Sequence, residues 1–274
     1  MSVYITSLNS GSNGNCYYVG NERDAVLVDA GISCRETEKR MQRLGLSMQK
    51  VRAIFISHEH SDHIRGLDVL SRKYQIPVYV TPKTKLSSDI TFDRDLFIPF
   101  NGYEPIQIGE LLITGFPKFH DACDPHSFII QCQKIKIGVF TDIGAPCTHV
   151  TQHFAMCNAA FLEANYDETM LEQGRYPYHL KRRIRGGYGH LSNVQALEIF
   201  KKYRPGYMSH LLLSHLSKDN NSPELVEQLF NLHAKGTQIV IASRYQETEV
   251  FRISNGLNDR ESEYSLLPMQ YSLF

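Results

Sequence analysis

The 274-residue chain carries no net charge, because 29 basic residues balance 29 acidic ones. Overall charge therefore attracts no class of partner, and any nucleic-acid surface must be a local patch. No run of about 18 consecutive apolar residues occurs, which argues against a membrane-spanning helix. Met1 to Gly20 lacks a charged segment followed by an apolar one, so no secretory leader is expected. None of the six cysteines belongs to a C-x-x-C pair. They read as reduced small hydrophobes of a cytoplasmic protein, with Cys123 set apart by its place near a histidine cluster. Low-complexity segments and short repeats are absent. The 42% hydrophobic and 21% charged content is that of an ordinary globular protein, expected to form a single domain over 1–274.

What the chain has in abundance is histidine in one place. His58 to His63 reads His-Glu-His-Ser-Asp-His, an H-x-H-x-D-H pattern. Imidazole and carboxylate suit zinc, and also manganese or iron. An apolar strand-like run (Val51, Ala53, Ile54, Phe55, Ile56) precedes the motif, and a helix-like run (Ile64, Leu67, Leu70, Tyr74) follows it. A strand-to-helix turn of this kind can aim several ligands at one point.

The same grammar recurs. Val26-Leu27-Val28 ends at Asp29, the run from Leu111 leads to His120, Ile137 to Thr141 ends at Asp142, and Leu211 to Ser214 ends at His215. Strand ends aligned along one sheet edge would converge on one cleft. Helix signals alternate with the strands. Ser33 with Glu36 and Ser192 with Gln195 read as capping boxes, and Ser222-Pro223-Glu224 opens a further helix. The second of these helices is expected to turn Val194, Leu197 and Phe200 inward, and the third Leu225, Leu229 and Leu232. Two facing sheets covered by helices would use these elements, and so would a doubly wound parallel sheet; periodicity does not separate the two.

The spaced set Asp29, His58-x-His60-x-Asp62-His63, His120, Asp142 and His215 resembles the signature of the metallo-β-lactamase-fold hydrolases. That resemblance implies an α/β fold, a four-layer αββα sandwich with metals along one edge of the paired sheets. It implies that His58, His60 and His120 hold one divalent ion, that Asp62, His63 and His215 hold a second, and that Asp142 bridges both. Asp29 would orient a ligand from behind. Two ions roughly 3.5–4 Å apart lower the pKa of water towards ~7 and neutralise charge on a phosphoryl or carbonyl oxygen. Two ligand carboxylates against four positive charges leave a site suited to an anionic phosphodiester.

Within that fold class, Asp142 stands where common β-lactamases carry cysteine, and His60 is kept where redox di-iron members carry glutamate. Gly189-His190-Leu191-Ser192-Asn193 resembles the His-Ser/Thr motif of the transfer-RNA-processing and β-CASP nucleases. His190 would then protonate the leaving oxygen, oriented by Glu163, while Ser192 and Asn193 open a helix whose N–H groups attract phosphate. Asp62 would also steady the attacking hydroxide. The loop Ser10-Gly11-Ser12-Asn13-Gly14 is expected to bring Ser12 and Asn13 to the substrate. The segment 165–190 carries Arg175, Lys181, Arg182, Arg183 and Arg185 among Tyr166, Tyr176, Tyr178 and Tyr188. Lys181, Arg182 and Arg185 are expected to track a phosphate backbone while rings stack on unpaired bases.

Finer motifs are similar to the bacterial YycJ/WalJ-like family: Ser-Leu-x-Ser-Gly-Ser-x-Gly-Asn-Cys near the start, His120-Asp121-Ala122 with Pro125, Glu163 to Asp167, Gly189 to Asn193 and Ser214 to Ser217. That similarity implies a metal-dependent 5′-to-3′ exonuclease on DNA, favouring single strands. His126 departs from the pattern and would place a polar group near the metals; 254–274 matches nothing recognisable. The residues alone leave open an RNA nuclease, a small-molecule hydrolase of thioesters, lactones or cyclic nucleotides, and a scaffold that binds nucleic acid without cutting it.

Overall fold

Apolar runs four to seven residues long, each closed by a turn, become strands because burial on both faces rewards continuous hydrophobicity. The computed structural model describes residues 2–88 and 95–254. Its strands are β1 (Val3–Asn9), β2 (Cys16–Gly20), β3 (Ala25–Val28), β4 (Val51–Phe55), β5 (Val78–Val80), β6 (Phe97–Pro99), β7 (Ile106–Ile108), β8 (Leu111–Pro117), β9 (His126–Cys132), β10 (Ile135–Phe140), β11 (Ala159–Glu163), β12 (His210–Ser214), β13 (Gln238–Ile241) and β14 (Phe251–Ile253). The helices are α1 (Cys34–Arg43), α2 (Ser61–Ile64), α3 (Leu67–Tyr74), α4 (Pro82–Ser87), α5 (Thr148–Phe154), α6 (Glu168–Gln173), α7 (Tyr178–Arg185), α8 (Asn193–Tyr203) and α9 (Pro223–Asn231).

Two mixed sheets result, ordered β14-β1-β2-β3-β4-β5-β6 and β13-β12-β11-β10-β9-β8-β7. In each, an antiparallel half gives way to a parallel half, at β3/β4 in the first sheet and at β10/β11 in the second. The doubly wound alternative is thereby excluded. Side-chain alternation sorts the core into three layers. Val26, Val28 and Phe55 of the first sheet meet Ile113, Phe128, Val139, Phe161 and Leu212 of the second. Leu27, Ile54 and Ile56 turn outward onto Met41, Leu67 and Leu70. Leu211, Leu213 and Leu162 turn the other way, onto Leu197, Phe200 and Phe230. This is the αββα sandwich.

Helix boundaries follow their caps. Ser33 Oγ accepts from Glu36 N at 3.2 Å, and α1 ends where Gly45 takes a left-handed turn (φ 68°). The Ser192–Gln195 capping box is reciprocal. Two inward faces differ from expectation. Val194 is exposed, since Ala196, Leu197 and Phe200 form the packed stripe of α8. In α9 the buried stripe is centred on Val226 and Phe230, which leaves Leu225 and Leu229 at its margin and Leu232, just past the helix, exposed. Strands β6 and β7 were not anticipated, because three residues are too few to show a period. Of the segment 254–274, all but Ser254 lies outside the described residues.

Candidate metal centre

Both parallel halves, together with β8, end at the same edge of the sandwich. Asp29 follows β3, the histidine motif follows β4, His120 follows β8, Asp142 follows β10, Glu163 ends β11 and His215 follows β12. Three of these residues leave the sheet in a left-handed backbone conformation: Asp29 (φ 63°), Asp142 (φ 53°) and His215 (φ 56°). Asp and His tolerate that region better than most side chains, yet it still costs energy, and the surroundings must hold it. They do so by stitching the loops together. Asn15 N donates to Asp62 O at 2.7 Å and Ala30 N to His63 O at 2.8 Å. A Cβ at Gly31 would lie 1.6 Å from Asp62 O, so only glycine lets these two loops touch.

The histidines are presented with one ring nitrogen each committed. His63 Nδ1 lies 2.7 Å from Asp29 Oδ2, His120 Nδ1 lies 3.0 Å from Gly189 O, His215 Nδ1 lies 3.0 Å from Glu163 Oε1, and His58 Nδ1 lies 2.9 Å from Ser57 Oγ. Each arrangement holds Nδ1 and makes Nε2 the nitrogen that could meet an ion. His60 instead offers Nδ1, 3.0 Å from His58 Nε2 and 3.4 Å from His120 Nε2. Four groups have ligand atoms within 4.8 Å of one another: His58, His60 and His120; Asp62, His63 and His215; His58, His63 and Asp142; and Asp142, Glu163, His190 and His215. Asp142 therefore lies between the two triads.

The donor chemistry fits divalent cations. Asp142 Oδ2 and His215 Nε2 are buried without a well-formed hydrogen bond, facing His63 Nε2 at 3.2 Å and Asp62 Oδ2 at 3.6 Å, an arrangement a cation would complete. Asp29 accepts from Ser57 N and Ser57 Oγ, both at 2.8 Å, besides meeting His63. Asp29→Asn keeps a side chain tolerant of the left-handed turn but misplaces a donor against Ser57 and His63. Metal affinity, read by competition with a fluorescent chelator, is expected to fall about 10–100-fold.

The two triads differ in protonation. Burial pushes His58 well below the ordinary histidine range and His120 down to about 4, so both are neutral near pH 7. Burial also opposes charge on His63 and His215, but Asp142 and the neighbouring carboxylates outweigh it, raising His63 and pushing His215 up to about 10. An ion bound by Asp62, His63 and His215 would compete with protons there, so affinity at this triad is expected to rise with pH. Calorimetry in buffers of different ionisation enthalpy should show more proton release on filling the Asp62, His63, His215 triad than on filling the other. Equal release at both would contradict this.

Beside the triads, Glu163 Oε1 meets His190 Nδ1 at 2.7 Å, while Glu163 Oε2 accepts from Ile143 N at 2.7 Å and Leu191 N at 3.2 Å. Burial opposes ionisation of Glu163, but His190 and His215 overcome it and the carboxyl is lowered to about 2.

The expected substrate residues are placed unevenly. Ser12 and Asn13 are exposed, tied to Arg244 through Ser12 Oγ at 2.9 Å and Asn13 Nδ2 to Arg244 O at 2.9 Å. Lys181 Nζ bonds Glu172 O, and Arg185 pairs with Glu172 at 3.0 Å. Arg182 is exposed with no ion pair among the described residues. Ser192 and Asn193 do not offer their side chains to the cleft. Both are buried, Ser192 Oγ bonding Glu168 and Asn193 Nδ2 bonding Asn221. Two amides at the start of α8 are also used from within, Ser192 N by Gln195 and Asn193 N by Tyr166 O. Tyr166 is buried and Tyr176 bonds Asp219, leaving Tyr178 and Tyr188 as the exposed rings of this segment. His126 is buried against Phe100 with Nδ1 2.9 Å from Asp124 O, and belongs to none of the four metal-ligand groups.

Three residues of the site gave no sequence signal of their own. Asn15 Nδ2 lies 3.1 Å from both Asp62 Oδ2 and His63 Nε2. Asn165 Nδ2 donates to His215 O at 2.8 Å. Lys118, fully buried, donates from Nζ to Thr141 O at 2.6 Å, beside the strained Asp142. Asn15 and Asn165 sit in quoted motifs, and that membership was the available hint.

Two facing sheets with histidines and aspartates gathered at one edge define a hydrolase of the metallo-β-lactamase type. The family model described as Beta-lactamase superfamily domain matches residues 24–215. The chain is 34% identical to Exodeoxyribonuclease YycJ of Bacillus anthracis, over 91% of this chain and 96% of that protein. It is 31% identical to Exodeoxyribonuclease WalJ of Streptococcus pneumoniae, over 80% of this chain and 83% of that protein. In fold it is similar to the metallo-β-lactamase fold protein YhfI from Bacillus subtilis, with a TM-score of 0.72 at 17% identity, covering 92% of this chain and all of that one. The chain belongs to the YycJ/WalJ family of the metallo-β-lactamase superfamily. Among the described residues no helix is long and apolar enough to cross a membrane.

Proposed function

We propose that this chain is a dinuclear metal-dependent phosphodiesterase of the cytoplasm, a DNA exonuclease that proceeds from the 5′ end and favours single strands. One observation carries the chemistry: two triads, His58, His60, His120 and Asp62, His63, His215, flank Asp142, with the Glu163–His190 pair alongside. The two relatives are named exodeoxyribonucleases, which supports DNA as the substrate.

In this reading the triads would hold zinc, manganese or iron, with Asp142 shared between them. Bound there, the ions would supply Lewis acidity and a water of lowered pKa. The protein's own groups supply the rest. Asp62, whose Oδ2 accepts from Asn15, orients the attacking water. His190, its Nδ1 held by Glu163, keeps Nε2 for the leaving oxygen, and half-burial limits competition from bulk water. Ser12, Asn13 and Arg182 at the exposed rim accompany the strand, and Lys181 and Arg185 hold α7 in place through Glu172.

The test is a time course on 5′-labelled single-stranded DNA, duplex DNA and single-stranded RNA with manganese or zinc. Early release of the label as a mononucleotide, fastest from single-stranded DNA, is expected. Faster loss of RNA would reassign the substrate. Hydrolysis confined to thioesters, lactones or cyclic nucleotides would overturn the reading.

A further inference from the structure

Phe119 and Tyr188 are large rings left 46% and 63% exposed, and they meet edge to face with centroids 5.8 Å apart. Their place is what makes them informative. Phe119 directly precedes His120, and Tyr188 lies two residues before His190, so the pair is carried by the two loops that bring these histidines to the candidate centre. Neither ring has the burial that would explain it as core.

The pair is also held still. Gly144 N donates to Phe119 O at 2.6 Å, and a Cβ at Gly144 would lie 2.4 Å from both Gly187 O and Tyr188 Cα. His190 N bonds Ile184 O at 2.9 Å, and Arg183 pairs with Asp121 at 2.5 Å, tying α7 to the His120 loop. Phe119 also borders a cavity of about 530 Å³ that His149, Glu198 and Lys202 line, so the ring faces open space. Exposed, pre-positioned apolar rings suit a planar apolar ligand. An unpaired nucleobase is such a ligand, and a duplex base is a poorer one, because inside the helix both its faces are stacked and at the end it is still paired to the opposite strand.

We propose that Phe119 and Tyr188 form a stacking platform for an unpaired base next to the scissile phosphate, and that this platform selects single strands. The proposal rests on the nuclease reading above. Its test compares a single-stranded oligonucleotide with one that is abasic at its first positions, scored as the ratio of kcat/KM for the two within each variant. The wild type should favour the base-bearing strand about 5- to 150-fold, the range that base–aromatic stacking supplies. Phe119→Leu with Tyr188→Leu should bring the ratio close to unity, while Phe119→Trp and Tyr188→Phe should keep it. A preference that survives the double leucine variant, or a wild type with none, would overturn the platform and leave the nuclease reading intact. Failure of the wild type to cut either strand would overturn the nuclease reading, and the platform with it.

Discussion

Asp142→Asn should lose metal and activity together. Asp142 has backbone φ 53°, a conformation that asparagine accepts about as readily as aspartate, so the turn after β10 should survive. The change removes the negative charge that lies between the triads and replaces one carboxylate oxygen with an amide nitrogen that cannot bind a cation. Oδ2, buried without a well-formed hydrogen bond in the wild type, is one of the two atoms that can carry this loss. Elemental analysis of purified variant should find at least one equivalent fewer than wild type. Activity should fall by more than the ~10–100-fold that losing a group behind a ligand costs. Full metal content with normal turnover would remove Asp142 from the bridging position.

His190→Ala should spare the metal and still cost turnover. Glu163 would keep its bonds to His215, Ile143 N and Leu191 N, so the buried carboxylate stays satisfied and the fold holds. Metal content should be unchanged, while kcat drops about 10²–10⁴-fold, the usual contribution of a positioned acid. KM should move little, since the imidazole acts on the leaving oxygen and not on the ground state. A His190→Ala enzyme with undiminished kcat would end the acid assignment. One that also loses its metals would make His190 a ligand.

The H-x-H-x-D-H motif was legible because its ligands are local: one strand end and one short helix hold four of them. His120, Asp142 and His215 were legible as strand ends, and their meeting was an inference from resemblance. Periodicity said nothing of which strands pair, since the switch from antiparallel to parallel within each sheet is a long-range matter. Ser192 and Asn193 show the converse difficulty. Their sequence announces a helix start, and it hides that Gln195, Tyr166, Glu168 and Asn221 already use the polar groups there. Lys118 was invisible for a related reason, because a lysine near a strand end reads as solvated until the fold buries it against Thr141.

The central claim is that these separated side chains hold two ions, and anomalous diffraction from crystals soaked in manganese or zinc tests it most directly. Two peaks are expected, one bounded by His58, His60 and His120, the other by Asp62, His63 and His215, with Asp142 reaching both. A cavity with no peak, or a single ion away from these triads, would contradict the account.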